Sequence, residues 1–251
     1  MIPADAAADT LLGGKVKIAQ PADGYRVAVD AVLLAAAIEA EAGERVLDLG
    51  CGVGSVSLCL AWRRPQIGIV GLDREPAFLA CAAANAAVNG MDARVTFLQG
   101  DVLDPPAGIR AAFDQAMLNP PYLKAGSATV SAHPLKAAAT AESDATLPDW
   151  IACARAALKP GGILTMIHRA DRLADCLAAL RGFGGIVVLP IHPKAGRAAG
   201  RILIRARLGS GQPLSILPGF ILHESDGRFT AAADAILRDG AALDLMGRPA
   251  A

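Results

Sequence analysis

Between Arg45 and Leu208, short apolar runs alternate with longer stretches in which apolar residues recur at helical spacing. That alternation predicts an α/β fold on a mainly parallel sheet. Arg45–Leu49 reads as the first strand, stopped by Gly50. A helix follows from Gly54 to Arg64, with Val56, Leu60 and Ala61 on one face. Ile67–Leu72 is the second strand. Glu75–Asn89 is a helix with Pro76 in its first turn and Asn89-Gly90 as its stop. Val95–Leu98 and Phe113–Leu118 are the third and fourth strands.

A long connection runs from about Leu123 to Leu147, rich in Gly, Ser, Ala and Thr, with His133-Pro134 inside it. A connection of that length within one domain is usually functional or mobile. Thr146-Leu-Pro-Asp149 is a capping box opening a helix to about Leu158. Lys159–Gly162 is a turn, Ile163–Ile167 the fifth strand, Ala170–Arg181 a helix and Ile186–Ile191 the sixth strand. Arg201–Leu208 alternates cationic and apolar residues, as a strand with one solvated face does. Upstream of the sheet, Asp30 is the natural N-cap of a helix reaching Ile38. After Pro218 a helix is expected near Ala231–Arg238.

Composition narrows the class. Of 251 residues, 53% are hydrophobic and only 4% aromatic, so an alanine-rich core forms without staples and the two tyrosines stand out. A formal net charge of +0 gives no global field for nucleic acid, although a local basic face between Arg169 and Arg207 is compatible with it. The alternative for those cations is a solvated surface. Five widely spaced cysteines without Cys-x-x-Cys read as reduced core thiols, not as disulfides or metal ligands. The N-terminus lacks a basic start, and Ala31–Ile38 is too short to span a bilayer, so a cytoplasmic protein without a membrane partner is expected.

The chemistry lies at the strand ends. Gly50-Cys51-Gly52-Val53-Gly54 joins the first strand to its helix, where glycines let the backbone turn sharply and approach a ligand. A dinucleotide loop spaces its glycines Gly-x-Gly-x-x-Gly to seat a pyrophosphate; here the third glycine comes one residue early. S-adenosyl-L-methionine has no phosphate and needs room for its amino acid moiety, around whose ammonium Asp48 can orient loop amides and waters. Asp73 ends the second strand and can accept both ribose hydroxyls; alone, it is also a plausible helix N-cap. Asp101, followed by Val102, can receive the exocyclic amine of the cofactor's adenine; alone, it is also a turn residue. Together these acids line the edge where open α/β sheets bind ligands.

Asn119-Pro120-Pro121-Tyr122 follows the fourth strand at the same edge. An amine on an aromatic ring is a poor nucleophile because its lone pair is delocalised. The Asn119 side-chain oxygen and the Pro120 carbonyl can each accept one of its N–H groups, favouring a pyramidal nitrogen aimed at the methyl donor. The prolines fix φ and preorganise the acceptors, and Tyr122 can stack on the flat substrate. In isolation the motif is equally a Pro-Pro turn with a core tyrosine. Tyr25 and Arg26 lie upstream of the first helix, placed either as a cofactor lid or as ordinary arm packing. His133, Lys136, His168 and Arg169 are weaker candidates: solvated loop residues or helix caps explain them as well.

With these residues in hand, the chain resembles class I S-adenosylmethionine-dependent methyltransferases of the Asn-Pro-Pro-Tyr group. Within it, the chain looks most like the tRNA1(Val) adenine-37 N6-methyltransferase family. The stretches that carry this are Gln20-Pro21, Gly24-Tyr25-Arg26, Asp30–Leu34, Val46–Gly54 and Asn119–Tyr122. The resemblance implies a Rossmann-like, seven-stranded, mainly parallel sheet flanked by helices, its last strand, Arg201–Leu208, antiparallel. It implies a cofactor held by Asp48, Gly50, Cys51, Gly52, Gly54, Asp73, Asp101, Val102, Tyr25 and Arg26, and an RNA substrate, in particular tRNA. It divides the chain into an N-terminal arm and helix over the cofactor site (1–44), the methyltransferase domain (45–208) and a C-terminal extension of that domain (209–251). Leu123 departs from the aromatic that many relatives carry there.

Three rivals stand beside it. Release-factor methyltransferases carry the same motif for a planar glutamine amide, but place a helical recognition domain before the sheet, which here starts at Arg45. The other two are a non-catalytic RNA-binding relative and an NAD oxidoreductase, which the glycine spacing disfavours.

Overall fold

In a computed structural model of the chain, residues 7–20, 29–121 and 145–245 are described. Strands β1 (Ala7–Leu11) and β2 (Val16–Gln20) form an antiparallel hairpin. Helix α1 (Val29–Ala36) leads to β3 (Arg45–Leu49), α2 (Ser55–Arg63), β4 (Gly68–Asp73), α3 (Pro76–Val88), β5 (Val95–Gln99) and β6 (Phe113–Leu118). Then come α4 (Leu147–Ala157), β7 (Leu158–Arg169), α5 (Leu173–Ala179), β8 (Phe183–Lys194) and β9 (Arg201–Leu208). Two short strands, β10 (Ser215–Ile216) and β11 (Phe220–His223), precede α6 (Ala231–Asp234).

The main sheet runs β10-β8-β9-β7-β6-β3-β4-β5, with β11 also on β8. The seven expected strands are all there, and β9 is antiparallel to both β7 and β8. The sheet is larger than expected by two strands, because β10 and β11 pair in parallel with β8. Segments that short leave no periodicity to read.

The chain runs from β3 outward through β4 to β5, then returns to place β6 on the other flank of β3. The order reverses there, and in open α/β sheets such a reversal opens the crevice that binds ligands. One face carries a core containing residues of α1, α2, α3 and the C-terminal tail. The other carries α4 and α5. Past the exposed Arg45, β3 is buried on both faces, with Val46, Leu47 and Leu49 apolar and fully buried. Asp48 is the buried exception.

Local differences from the sequence reading have physical causes. Asp30 is not an N-cap: α1 begins at Val29, and the Asp30 carboxylate accepts a bond from Arg201 Nε at 2.9 Å, tying α1 to β9. The Lys159–Gly162 turn lies inside β7 as an irregularity, because Leu158 pairs with Phe113 before Ile163 resumes opposite Gln115. The expected helix Ala170–Arg181 is a 3-10 turn (Ala170–Arg172) followed by the short α5. The Thr146 capping box is present, with Thr146 N–H donating to Asp149 Oδ2 at 2.9 Å. All five cysteines are buried and free.

The C-terminal tail packs onto the helical layer. Leu243 N–H donates to Ala36 O at 2.9 Å, and Arg63 Nε donates to Gly240 O at 2.9 Å. Among the described residues, no helix is long and apolar enough to cross a membrane.

Candidate functional site

Leu49 and Leu118 are register partners on the parallel pair β3 and β6. The chain leaves the sheet one residue later on both strands, so the glycine turn and the Asn119-Pro120-Pro121 turn start side by side on one rim. Leu72 of β4 is in register with Leu49 on the other side, and Asp73 with Gln99 of β5. The carboxyl ends of four strands thus bring Gly50–Gly54, Asp73, Asp101 and Asn119–Pro121 together. Tyr122, Tyr25, Arg26, His133 and Lys136 lie outside the described residues.

The turn is built by its glycines. Gly50, Gly52 and Gly54 have φ of 70°, 53° and 84°, a region L-residues rarely adopt. Gly50 and Cys51 N–H groups both donate to Leu72 O, at 2.8 and 3.1 Å. Space matters as well. A Cβ on Gly50 would lie 2.7 Å from the Trp150 ring. Trp150, on α4, therefore backs the turn, and its buried indole N–H has no hydrogen-bond partner among the described residues. Phe97 fills the room over Gly54 and Gly71, where added Cβ atoms would meet it at 3.1 and 2.6 Å. The Cys51 thiol packs against Gly71 in the same way, and burial pushes its pKa well up.

Asp73 holds the turn from the front. Its Oδ2 accepts the Gly52 N–H at 2.8 Å and its Oδ1 accepts the Glu75 N–H at 3.0 Å. Burial raises its pKa, and the backbone bonds act against that rise. Each carboxylate oxygen keeps a second lone pair for a ligand hydroxyl. Asp101 Oδ1 accepts the Leu103 N–H at 3.0 Å, so the turn-residue reading of Asp101 holds alongside its place on the rim. Val102 packs against the core on the α4 side.

Asp48 is only 1% exposed, and its Oδ2 accepts the Ser57 hydroxyl at 2.7 Å. Burial lifts its pKa to about 7; Ser57 lowers it, and the neighbouring Asp73 carboxylate adds to the rise. A buried carboxylate inside a central strand costs stability and is a candidate functional position. It also matches a cationic ligand, because a positive charge beside Asp48 relieves the repulsion.

Along the rim, Asn119 and Pro121 are half-buried and Pro120 is buried. His168 is fully buried, and its Nδ1 accepts the Arg169 N–H at 2.8 Å. Burial, with Arg172 nearby, lowers its pKa to about 4, so it is neutral near pH 7. Arg169 pairs with Asp171 and Arg172 with Asp175. Farther along the stretch, Arg201 pairs with Asp30, whereas Lys194 and Arg207 donate to the carbonyls of Ser225 and Gly161.

A family model, the methyltransferase small domain, matches residues 26–182. The chain belongs to the methyltransferase small domain family. Its cofactor is S-adenosyl-L-methionine, and the residues present fit that molecule: buried carboxylates beside a glycine turn. Curated relatives named tRNA1(Val) (adenine(37)-N6)-methyltransferase include one from Porphyromonas gingivalis, 36% identical over 168 residues, or 63% of this chain and 64% of that protein. Another, from Aeromonas hydrophila, is 29% identical over 211 residues, covering 82% and 85%. A release factor glutamine methyltransferase from Xylella fastidiosa is 33% identical over 159 residues, covering 61% and 56%. The chain thus spans less than two thirds of the Porphyromonas relative's length. Among solved structures, a predicted O-methyltransferase from Agrobacterium tumefaciens superimposes with a TM-score of 0.71 at 28% identity, over 85% of this chain and 98% of that one.

Proposed function

We propose that this methyltransferase transfers a methyl group to the exocyclic N6 amine of adenine in RNA, specifically tRNA. The observation that carries the reading is the register of Leu49 with Leu118, which sets the glycine turn beside the Asn119-Pro120-Pro121 turn. Bound S-adenosylmethionine supplies an electrophilic methyl on a good leaving group. The chain's residues supply the rest.

Asp73 takes the ribose hydroxyls and Asp48 balances the ammonium. Asp101 and Val102 border the adenine of the cofactor. On the acceptor side, Asn119 Oδ1 and the Pro120 carbonyl each accept one amine N–H, which draws the nitrogen lone pair out of conjugation and aims it across the rim. Neutral acceptors suffice, because the amine proton acidifies as the new C–N bond forms and then leaves to solvent. The fixed φ of both prolines keeps this geometry in place before substrate arrives.

A glutamine amide is also a planar NH2 group, and the similarity to the Xylella enzyme supports it as the second reading. Adenine is favoured because the alignment with the Aeromonas enzyme extends over 82% of the chain. Incubation with tritiated S-adenosylmethionine and either total tRNA or release factors, followed by nucleoside and peptide analysis, decides between them. Label in N6-methyladenosine is expected. Label only in glutamine would establish the rival, and label in neither would refute transfer to a planar nitrogen.

A further inference from the structure

Asn85 on helix α3 and Asn89 at its C-cap lie one turn apart, and both reach across to β2. Asn85 Oδ1 accepts the Ala19 N–H at 2.8 Å, and its Nδ2 donates to Ala19 O at 2.9 Å. Asn89 repeats this two residues earlier on the strand, accepting the Lys17 N–H at 2.9 Å and donating to Lys17 O at 2.7 Å. The spacings match: four helical residues rise about 6 Å, and two strand residues about 6.6 Å. The two amides therefore serve β2 as a neighbouring strand would, on the edge opposite β1.

Asn85 does one thing more. Its Nδ2 also donates to Val53 O at 3.0 Å, inside the glycine turn. The side chain is only 2% exposed, and all three bonds are made within the protein. The next residue back, Gly52, is held by Asp73 through its N–H. The tip of the turn is thus gripped on one side by a proposed ribose ligand and on the other by a group that also grips the hairpin.

We propose that Asn85 is a positioning residue that couples the β1–β2 hairpin to the glycine turn, so that cofactor binding tightens the hairpin and a docked hairpin tightens cofactor binding. The inference rests on the cofactor reading above. Such coupling is reciprocal by thermodynamic necessity. Asn89 is the internal comparison, because it holds the hairpin without touching the turn.

The test is amide hydrogen exchange of the full chain with and without S-adenosylhomocysteine, with binding followed by calorimetry. In the wild type, the ligand is expected to slow exchange across residues 16–20 by about tenfold. Asn85→Ala should abolish that slowing and raise KM for S-adenosylmethionine about tenfold, leaving kcat at saturation within about twofold. Asn89→Ala should raise basal hairpin exchange and keep the slowing. Slowing that survives in Asn85→Ala overturns the coupling. If that variant does not fold, the wild type still decides: ligand bound with no change in hairpin exchange overturns the coupling alone. A wild type that binds no S-adenosylhomocysteine refutes the cofactor reading, and the coupling with it.

Discussion

Leu49 and Leu118 face each other across the β3–β6 pair, the point at which the strand order reverses. The proposed chemistry follows from what comes next on each strand: Gly50 on one, Asn119 on the other. Because the strands are parallel, both exits lie on the same rim. A donor held by the first turn and an acceptor held by the second are then neighbours without any domain movement.

In the proposed site, Asn119 stands on the acceptor side only. Asn119→Ala is expected to lower kcat by about 10²–10³ while the affinity for S-adenosylmethionine stays within about twofold. Single-turnover transfer and calorimetry on the same preparation check it. Unchanged turnover would remove Asn119 from the reaction.

Asp73 joins cofactor and turn in the proposed site. Asp73→Ala removes a ribose acceptor and also strands the Gly52 N–H, so S-adenosylmethionine should bind about 10- to 100-fold more weakly. Equilibrium dialysis measures this, and affinity equal to wild type would place the ribose elsewhere.

The pH behaviour of Asp48 has a defined sign. Unfolded, this carboxyl ionises near 3.8; folded, near 7. The folded state therefore holds the proton more tightly, and the contribution of Asp48 to stability is fully present below about pH 4 and lost as pH rises to about 7. Binding runs the other way, since only the ionised form attracts an ammonium. Asp48→Asn should raise Tm above pH 7 and weaken S-adenosylmethionine binding. Thermal melts and calorimetry at pH 5.5 and 8 test both, and a variant that melts lower at pH 8 would show that the ionised carboxylate stabilises the fold.

Gly50 is constrained twice, by φ of 70° and by the Trp150 ring 2.7 Å from where a Cβ would sit. Gly50→Ala should cost about 1–3 kcal/mol of stability. Adding Trp150→Phe should recover part of it by opening room. Denaturant unfolding of the single and double variants reads this directly, and additive losses would mean that the ring does not press on the turn.

Much of the fold was legible because its signals are local. The bounds of β3 and β6 were readable to the residue, since Gly50 and Asn119-Pro120 stop strands sharply. The capping box at Thr146 and the stop at Asn89-Gly90 were equally plain. What escaped depends on distant contacts. Asp30 has the composition of an N-cap, but its partner, Arg201, is 171 positions away. Trp150 gives no local sign that it will back a glycine turn about a hundred residues earlier. Asn89 was readable only as a helix terminator, and its clamp on Lys17 needs the tertiary fold. The tail strands β10 and β11 are too short to show alternation. Of the candidate site, the acids and glycines were visible because chemistry restricts their types. Ser57 was not, because a serine inside a helix has many ordinary uses.

The most direct measurement is a crystal structure of the protein with S-adenosylhomocysteine. The ligand should cross the ends of β3 and β4, its ribose on Asp73 and its sulfur directed at the Asn119-Pro120-Pro121 turn. A ligand seated elsewhere, or one whose sulfur faces away from Asn119, would contradict the proposal that methyl donor and planar amine meet between these two turns.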